Sequence, residues 1–246
     1  MRSVPSAISQ QINRISLGIK RKFLCPINLG GLDRLHPVST LFGYDRGQPI
    51  DRHYIENFLS QHRNDIHGIV LEIGDNTYTK QFGGSRVERS EILHAVEGNP
   101  AATIVADIAH ADNIPSETFD CIILTQTLQF VYDLPSAMNH LHRILKPGGV
   151  ILATMPGISQ ISRYDMDRWG DFWRFTTQSA QRLFEKKFIP ESIEVKAYGN
   201  VLIAIAFLHG LASEELKPEY FDYHDPDYQV LITVRAAKSK TGNSQG

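Results

Sequence analysis

Cysteine is nearly missing from this chain of 246 residues: Cys25 and Cys121 are the only two, and they stand in no CxxC spacing. That excludes a disulfide framework and a thiolate zinc site and fits a reducing cytoplasm. An excess of charge of one sign is also missing. Lys and Arg number 25 against 27 Asp and Glu, for a formal net charge of -2 and a pI near 6.5. Such a chain has no global field to hold nucleic acid, whose binding rests on neutralising phosphates. Long apolar runs are lacking too. The longest, 201–208, falls far short of the roughly 20 residues a membrane-spanning helix needs and reads as a buried helix, so the chain is expected to be soluble and cytoplasmic. No internal repeat is present. With 42% hydrophobic residues, the length supports one α/β domain with appendages.

The charge balance fails in one place. Residues 1–32 hold Arg2, Arg14, Lys20, Arg21 and Lys22 and no acid, while Ile8, Ile12, Ile15, Ile19 and Phe23 recur at helical spacing. This predicts a basic amphipathic helix that packs its stripe on the domain, makes peripheral contact with an anionic membrane surface, or serves as an organellar transit segment. Glycines and prolines from Gly30 to Pro49 then mark an irregular connection. A helix capped at Asp51 and running to about Gln61, with Tyr54, Ile55, Phe58 and Leu59 inward, completes an N-terminal cap segment, 1–62.

From there strands and helices alternate. Strands are expected at 69–73, weakly near 86–89, and at 103–106, 119–124 and 149–154, with a helix at 134–145. That order predicts an α/β, doubly wound, mostly parallel sheet. After Pro156 the rhythm breaks into a polar and aromatic segment, 164–175, which reads as a lid within an acceptor-side region, 156–227. A helix at 179–188, a strand at 192–198, the helix at 201–212 and an antiparallel strand at 229–235 follow. The domain is drawn as 63–237, and 238–246 as a disordered tail.

The site is expected where the first strand ends. Ile69-Val70-Leu71-Glu72-Ile73-Gly74-Asp75 is a buried-type strand closing on a carboxylate and a glycine, and ligands of open parallel sheets bind beyond such carboxyl ends. Glu91, nineteen residues past Glu72, sits where a doubly wound nucleotide site places its ribose ligand. Asp107 follows the third strand. Gly74 is not followed by the GxxG that receives a pyrophosphate, which argues against a nicotinamide oxidoreductase.

Together with Phe119-Asp120-Cys121-Ile122-Ile123-Leu124 and Leu141-His142-Arg143-Ile144-Leu145-Lys146-Pro147-Gly148-Gly149, this stretch resembles the class I S-adenosylmethionine-dependent methyltransferases of the type 11-like group, over about residues 66–155. The resemblance implies a Rossmann-like fold and S-adenosylmethionine as cofactor, held by Glu72, Gly74, Asp75, Glu91, Asp107, Ile108, Thr125 and Gln126. The family's glycine run is broken here by Asn76 and Tyr78. That departure motivates a second reading, a catalytically silent methyltransferase-like module that binds the cofactor or a partner. The segments 42–52 and 162–175 resemble a bacterial subgroup found in glycan contexts, which implies a sugar or other polar small-molecule hydroxyl as acceptor.

On the acceptor side, Asp165, His209 and His224 are the candidate bases. Tyr164, Arg168, Trp169, Trp173 and Arg174 are candidates for binding substrate by stacking and forked hydrogen bonds. His209, on an apolar helix, also reads as a core histidine. The loop 222–228 carries enough oxygens for a cation, but hard cations need carboxylates from several segments, so no metal is expected. The acceptor, the methylated atom and the oligomeric state stay open at this level.

Overall fold

The computed structural model describes residues 30–32 and 34–240. Contacts divide the chain into two units, 1–37 and 38–246. Of the first, the described part includes a short 3-10 turn, Gly30–Leu32; the expected basic helix lies outside the described residues. No described helix is long and apolar enough to cross a membrane.

The second unit is built on seven strands: β1 (Gly68–Ile73), β2 (Val87–His94), β3 (Ile104–Val105), β4 (Phe119–Thr125), β5 (Leu145–Pro156), β6 (Ile193–Tyr198) and β7 (Leu231–Ala237). Their order in the sheet is β3-β2-β1-β4-β5-β7-β6. β1 pairs parallel with β2 and β4, and β4 with β5, while β7 runs antiparallel between β5 and β6. The order reverses between β1 and β4, which places a crevice at their carboxyl ends.

Both faces of the sheet are covered, and the sequence shows why. Along β4, Ile122 and Leu124 enter one apolar cluster and Cys121 and Ile123 the other, so a fully apolar strand feeds two cores. The first cluster takes Ala137, Met138, Leu141 and Ile144 of α2 (Leu134–Ile144) and Ala180, Leu183 and Phe184 of α4 (Thr177–Phe184). The second takes Ile50, Tyr54, Ile55, Phe58 and Leu59 of α1 (Ile50–Gln61) and Ile203, Ala204, Ala206 and Phe207 of α5 (Val201–Leu208). Helix α1 therefore belongs to the core. The break in contacts falls after Pro37, not at residue 62.

Capping residues set the helix starts. Asp133 accepts from the Ser136 amide at 3.0 Å, Thr176 and Ser179 form a reciprocal capping box, and Asn200 accepts from the Ile203 amide at 3.0 Å. The short α3 (Arg163–Met166) is capped by Ser162 within the lid. At the amino edge, the Asp120 carboxylate accepts from the Ile69 amide at 2.8 Å and from Lys146 Nζ at 2.7 Å, tying the starts of β1, β4 and β5 together. Lys238, expected in the tail, instead donates to the carbonyls of His142 and Leu145 at 2.9 and 2.7 Å. Residues 241–246 lie outside the described residues.

Candidate active site

Gly74 ends β1 at φ +86, a backbone conformation that β-carbons disfavour, and a β-carbon built there would meet nothing within 4 Å. The space beside it belongs to a cavity of about 730 Å³ at the carboxyl ends of β1 to β4, lined by Ile73, Gly74, Leu93, His94, Asp107, Ile108 and the stretch Thr125–Thr127, among others. Asp107 caps the turn Ile108–His110, accepting from the Ala109 amide at 2.9 Å and lying 3.0 Å from His110 Nδ1. Burial works to raise the Asp107 pKa, but those bonds outweigh it and hold the carboxyl below its ordinary range. Ile108 is buried and, with Leu93, Ala106 and Val131, gives this cavity an apolar wall.

A second cavity, of about 750 Å³, lies on the side of α1 and α5, with Phe42, Arg52, Gln129, Gln160, Arg174 and Phe207 in its wall. The two share five residues: Thr125, Gln126, Phe130, Tyr164 and Asp165. Gln126 holds φ +48, uncommon for a residue with a side chain, and its amide bonds Thr154 O at 3.0 Å. Asp165, from the lid helix α3, accepts from Ser162 Oγ at 2.6 Å.

Glu72 is buried but faces neither cavity. Its oxygens accept from the Tyr78 amide at 3.2 Å, the Thr79 amide at 2.7 Å and Thr79 Oγ1 at 2.7 Å, so it fastens the loop after β1. Burial raises its pKa, against the pull of those donors. Asp75 is exposed and accepts from the Thr77 amide at 2.8 Å in a local turn. Tyr78, the suspicious residue of the glycine loop, turns its ring into the core beside Phe82 and accepts from Arg52 Nη1 at 3.0 Å. It lines neither cavity.

Four other expectations need correction. Glu91 does not reach the cofactor-side cavity: β2 runs on to His94, Glu91 pairs across to Leu71 in mid-strand, and its Oε1 lies 2.9 Å from Arg89 Nε. His94 occupies the strand end instead. Its Nδ1 stands 2.8 Å from Val96 O, which can only accept, so that nitrogen carries a proton. His209 is the C-cap of α5 and lines neither cavity; its Nδ1 is buried and has no hydrogen-bond partner among the described residues. His224 packs edge-on against Tyr198 and Tyr54, with its pKa lowered by burial, and also lines neither. Trp173 donates Nε1–H to Val131 O at 3.0 Å and stacks on Tyr132, which makes it a lid-packing residue.

The remaining lid residues divide. Arg168 lies 3.5 Å over the Tyr164 ring, and Trp169 packs edge-on to His94; both line the first cavity rather than the second. Arg174 lines the second but is engaged by the buried Asp171 at 2.5 and 3.0 Å and by the carbonyls of Ser159, Gln160 and Trp173. Gln129 and His94 escaped sequence reasoning because a lone amide or imidazole carries no spacing signal.

Residues 82–153 match the model of a family described as a methyltransferase domain. The N-methyltransferase NodS from Bradyrhizobium japonicum WM9, in complex with S-adenosyl-L-homocysteine, aligns over 82% of this chain and 94% of its own at TM-score 0.50 and 13% identity. The fold is that of the methyltransferases. Among curated relatives, the rat mitochondrial arginine-hydroxylase NDUFAF5 is 38% identical over 90 residues, 36% of this chain and 26% of its own. A 2-phytyl-1,4-naphtoquinone methyltransferase of Synechococcus elongatus is 29% identical over 134 residues, 50% of this chain and 58% of its own. The chain thus spans from about a quarter to somewhat over half of the relatives it matches. One of these relatives carries a hydroxylase name and the other a methyltransferase name, so the reaction must be argued from the site.

Proposed function

We propose that this protein transfers a methyl group from S-adenosylmethionine to a hydroxyl of a polar small molecule. The observation that carries the reading is the pair of cavities that meet at Thr125, Gln126, Phe130, Tyr164 and Asp165. Methyl transfer needs two ligands meeting end to end at about 3 to 3.5 Å, and adjoining cavities with a shared seam support such a meeting.

The first cavity fits the cofactor. The backbone at Gly74 offers an approach free of a side chain, Leu93, Ala106 and Ile108 form a slot for a flat ring, and Asp107 presents a carboxylate at its rim. Bound there, S-adenosylmethionine would supply an electrophilic methyl on a sulfonium, whose carbon–sulfur electron pair would return to sulfur as the acceptor oxygen took the methyl. Asp165, at the seam, takes the proton from the acceptor hydroxyl. Tyr164, with the Arg168 cation 3.5 Å over its ring, stands at the rim of the cofactor side.

The motive for a silent module weakens, since Tyr78 is turned into the core and does not block the loop. Calorimetry with S-adenosylhomocysteine tests the cofactor half, and methyl-labelled S-adenosylmethionine with candidate hydroxyl acceptors tests the reaction. A protein that failed to bind S-adenosylhomocysteine would not be this enzyme.

A further inference from the structure

We propose that Arg52 binds an oxyanion carried by the acceptor, a carboxylate or a phosphate, so that the substrate is an acid with a free hydroxyl rather than a neutral alcohol; the inference rests on the methyl-transfer reading above. Arg52, near the start of α1, lines the second cavity and not the first. Two phenols from other segments hold its guanidinium: Nε donates to Tyr44 Oη at 2.8 Å and Nη1 to Tyr78 Oη at 3.0 Å. These bonds leave Nη2 and one N–H of Nη1 without an acceptor among the described residues. A phenol oxygen accepts without cancelling charge, and no described carboxylate forms an ion pair with this guanidinium.

The other charges of the same wall are otherwise engaged. Arg174 is paired with the buried Asp171, and Arg163 lies 3.7 Å from Asp167. Asp165 stands at the seam with the cofactor side, which Arg52 does not line. Asp51 is next to Arg52 in the chain, but its Oδ1 accepts from the Arg52 amide at 2.9 Å rather than from the guanidinium. Burial pushes the Asp51 carboxyl up toward its uncharged form, against the pull of Arg52. The cation that remains is half-buried in a wall that also carries Leu41, Phe42 and Phe207, where an ion pair is stronger than in open water. The Tyr44 hydroxyl belongs to the same wall, and its O–H has no acceptor among the described residues, so it adds a second donor for the same oxyanion.

Tyr78, the residue that interrupts the glycine run, gains a role in this arrangement. Glu72 accepts from its amide at 3.2 Å, and its phenol reaches back to Arg52. The loop that leaves Gly74 therefore also aims the cation of the acceptor wall. An arginine that served only solubility would need neither phenol, whereas a guanidinium fixed on two sides presents its remaining N–H groups in a set direction, as recognition of a planar or tetrahedral oxyanion requires.

The test compares full-length wild type with Arg52→Gln, each saturated with S-adenosylhomocysteine, by calorimetric titration with matched pairs of which one member is an anion: glucuronate against methyl glucoside, 4-hydroxybenzoate against 4-hydroxybenzyl alcohol, and glycerol 3-phosphate against glycerol. In wild type the anion of at least one pair should bind about tenfold or more tighter than its neutral partner, and the pair that responds tells carboxylate from phosphate. Arg52→Gln should bring that ratio to within about twofold of one while S-adenosylhomocysteine affinity stays within about threefold. The ratio is a readout that a purely structural arginine would not move. If the Gln variant does not fold, Arg52→Met, which keeps the apolar stem, takes its place. Equal binding of both members in every pair, or a preference for the anion that survives loss of the guanidinium, would overturn the proposal. If wild type binds S-adenosylhomocysteine and shows no preference, only this inference falls; if it does not bind S-adenosylhomocysteine, the methyl-transfer reading falls and takes this one with it.

Discussion

A single carboxylate, Asp165, is asked to do the proton chemistry, and two features favour it over the histidines. It lies at the seam of both cavities, and its one described side-chain donor is Ser162 Oγ, which holds the carboxylate without neutralising it. Asp165→Asn should lower kcat by about 10² to 10⁴ while S-adenosylhomocysteine binds as before; equal losses in both would mean a structural residue. Gly74 gives a complementary case. Valine there adds backbone strain of about 1 to 3 kcal/mol but meets no protein atom, so the chain should fold with a lowered melting temperature and bind no S-adenosylhomocysteine. Normal binding would show that this strand end does not face the cofactor. Gly74 is read from the end of an apolar strand, whereas Asp107, Ile108, Thr125 and Gln126 come from the family resemblance; all five line the first cavity. Glu91 misled because residue spacing does not say where a strand stops: β2 runs three residues further, to His94. His209 and His224 misled because a histidine in a candidate region carries no sign of which way it faces.

At the scale of elements, the strands and α1, α2 and α5 follow from periodicity and caps, whereas the lid could be recognised only as a break in rhythm. Its order comes from contacts far apart in sequence, such as the Phe172 amide on Gln129 O and Trp173 Nε1 on Val131 O. The Arg174–Asp171 pair is the lid's internal brace, with the Asp171 side chain only 1% exposed. Arg174→Ala leaves that carboxylate buried with the Ser162 amide at 3.0 Å but no cation, at a cost of about 3 to 5 kcal/mol. The melting temperature should fall, and adding Asp171→Asn should restore much of it. An Arg174→Ala protein that kept its melting temperature and lost only turnover would return Arg174 to the substrate side.

Across the whole molecule, the sheet order was foreseeable as a class but the ties between distant segments were not. Arg235 on β7 donates to Asp65, before β1, at 2.7 and 2.9 Å. Burial alone would raise the Asp65 pKa; the His62 ring, 3.7 Å away, and the two hydrogen bonds from Arg235 outweigh it and push the carboxyl well below the ordinary range. A depressed folded pKa means the stabilisation is complete above the ordinary carboxylate range and is lost as pH falls through the folded value. Asp65→Asn should therefore cost about 1 to 2 kcal/mol near neutrality, after allowance for partial exposure, and progressively less in acid. Urea midpoints at neutral pH and at about pH 3 check this; a gap that did not narrow would mark a packing effect.

The shared wall of the two cavities has a further consequence for kinetics. Tyr164 and Asp165 line both chambers, so an occupant of one meets side chains that an occupant of the other also meets, and coupled affinities are the expected outcome. Thermodynamic linkage makes that communication mutual: whatever factor S-adenosylhomocysteine contributes to acceptor affinity, the acceptor must return to S-adenosylhomocysteine. An ordered sequence with cofactor first, and product release slowed while the methylated acceptor remains, is the steady-state pattern expected. Calorimetric titrations run in both orders should give the same coupling factor, greater than one; a factor of one would show that the seam positions the ligands without joining their affinities.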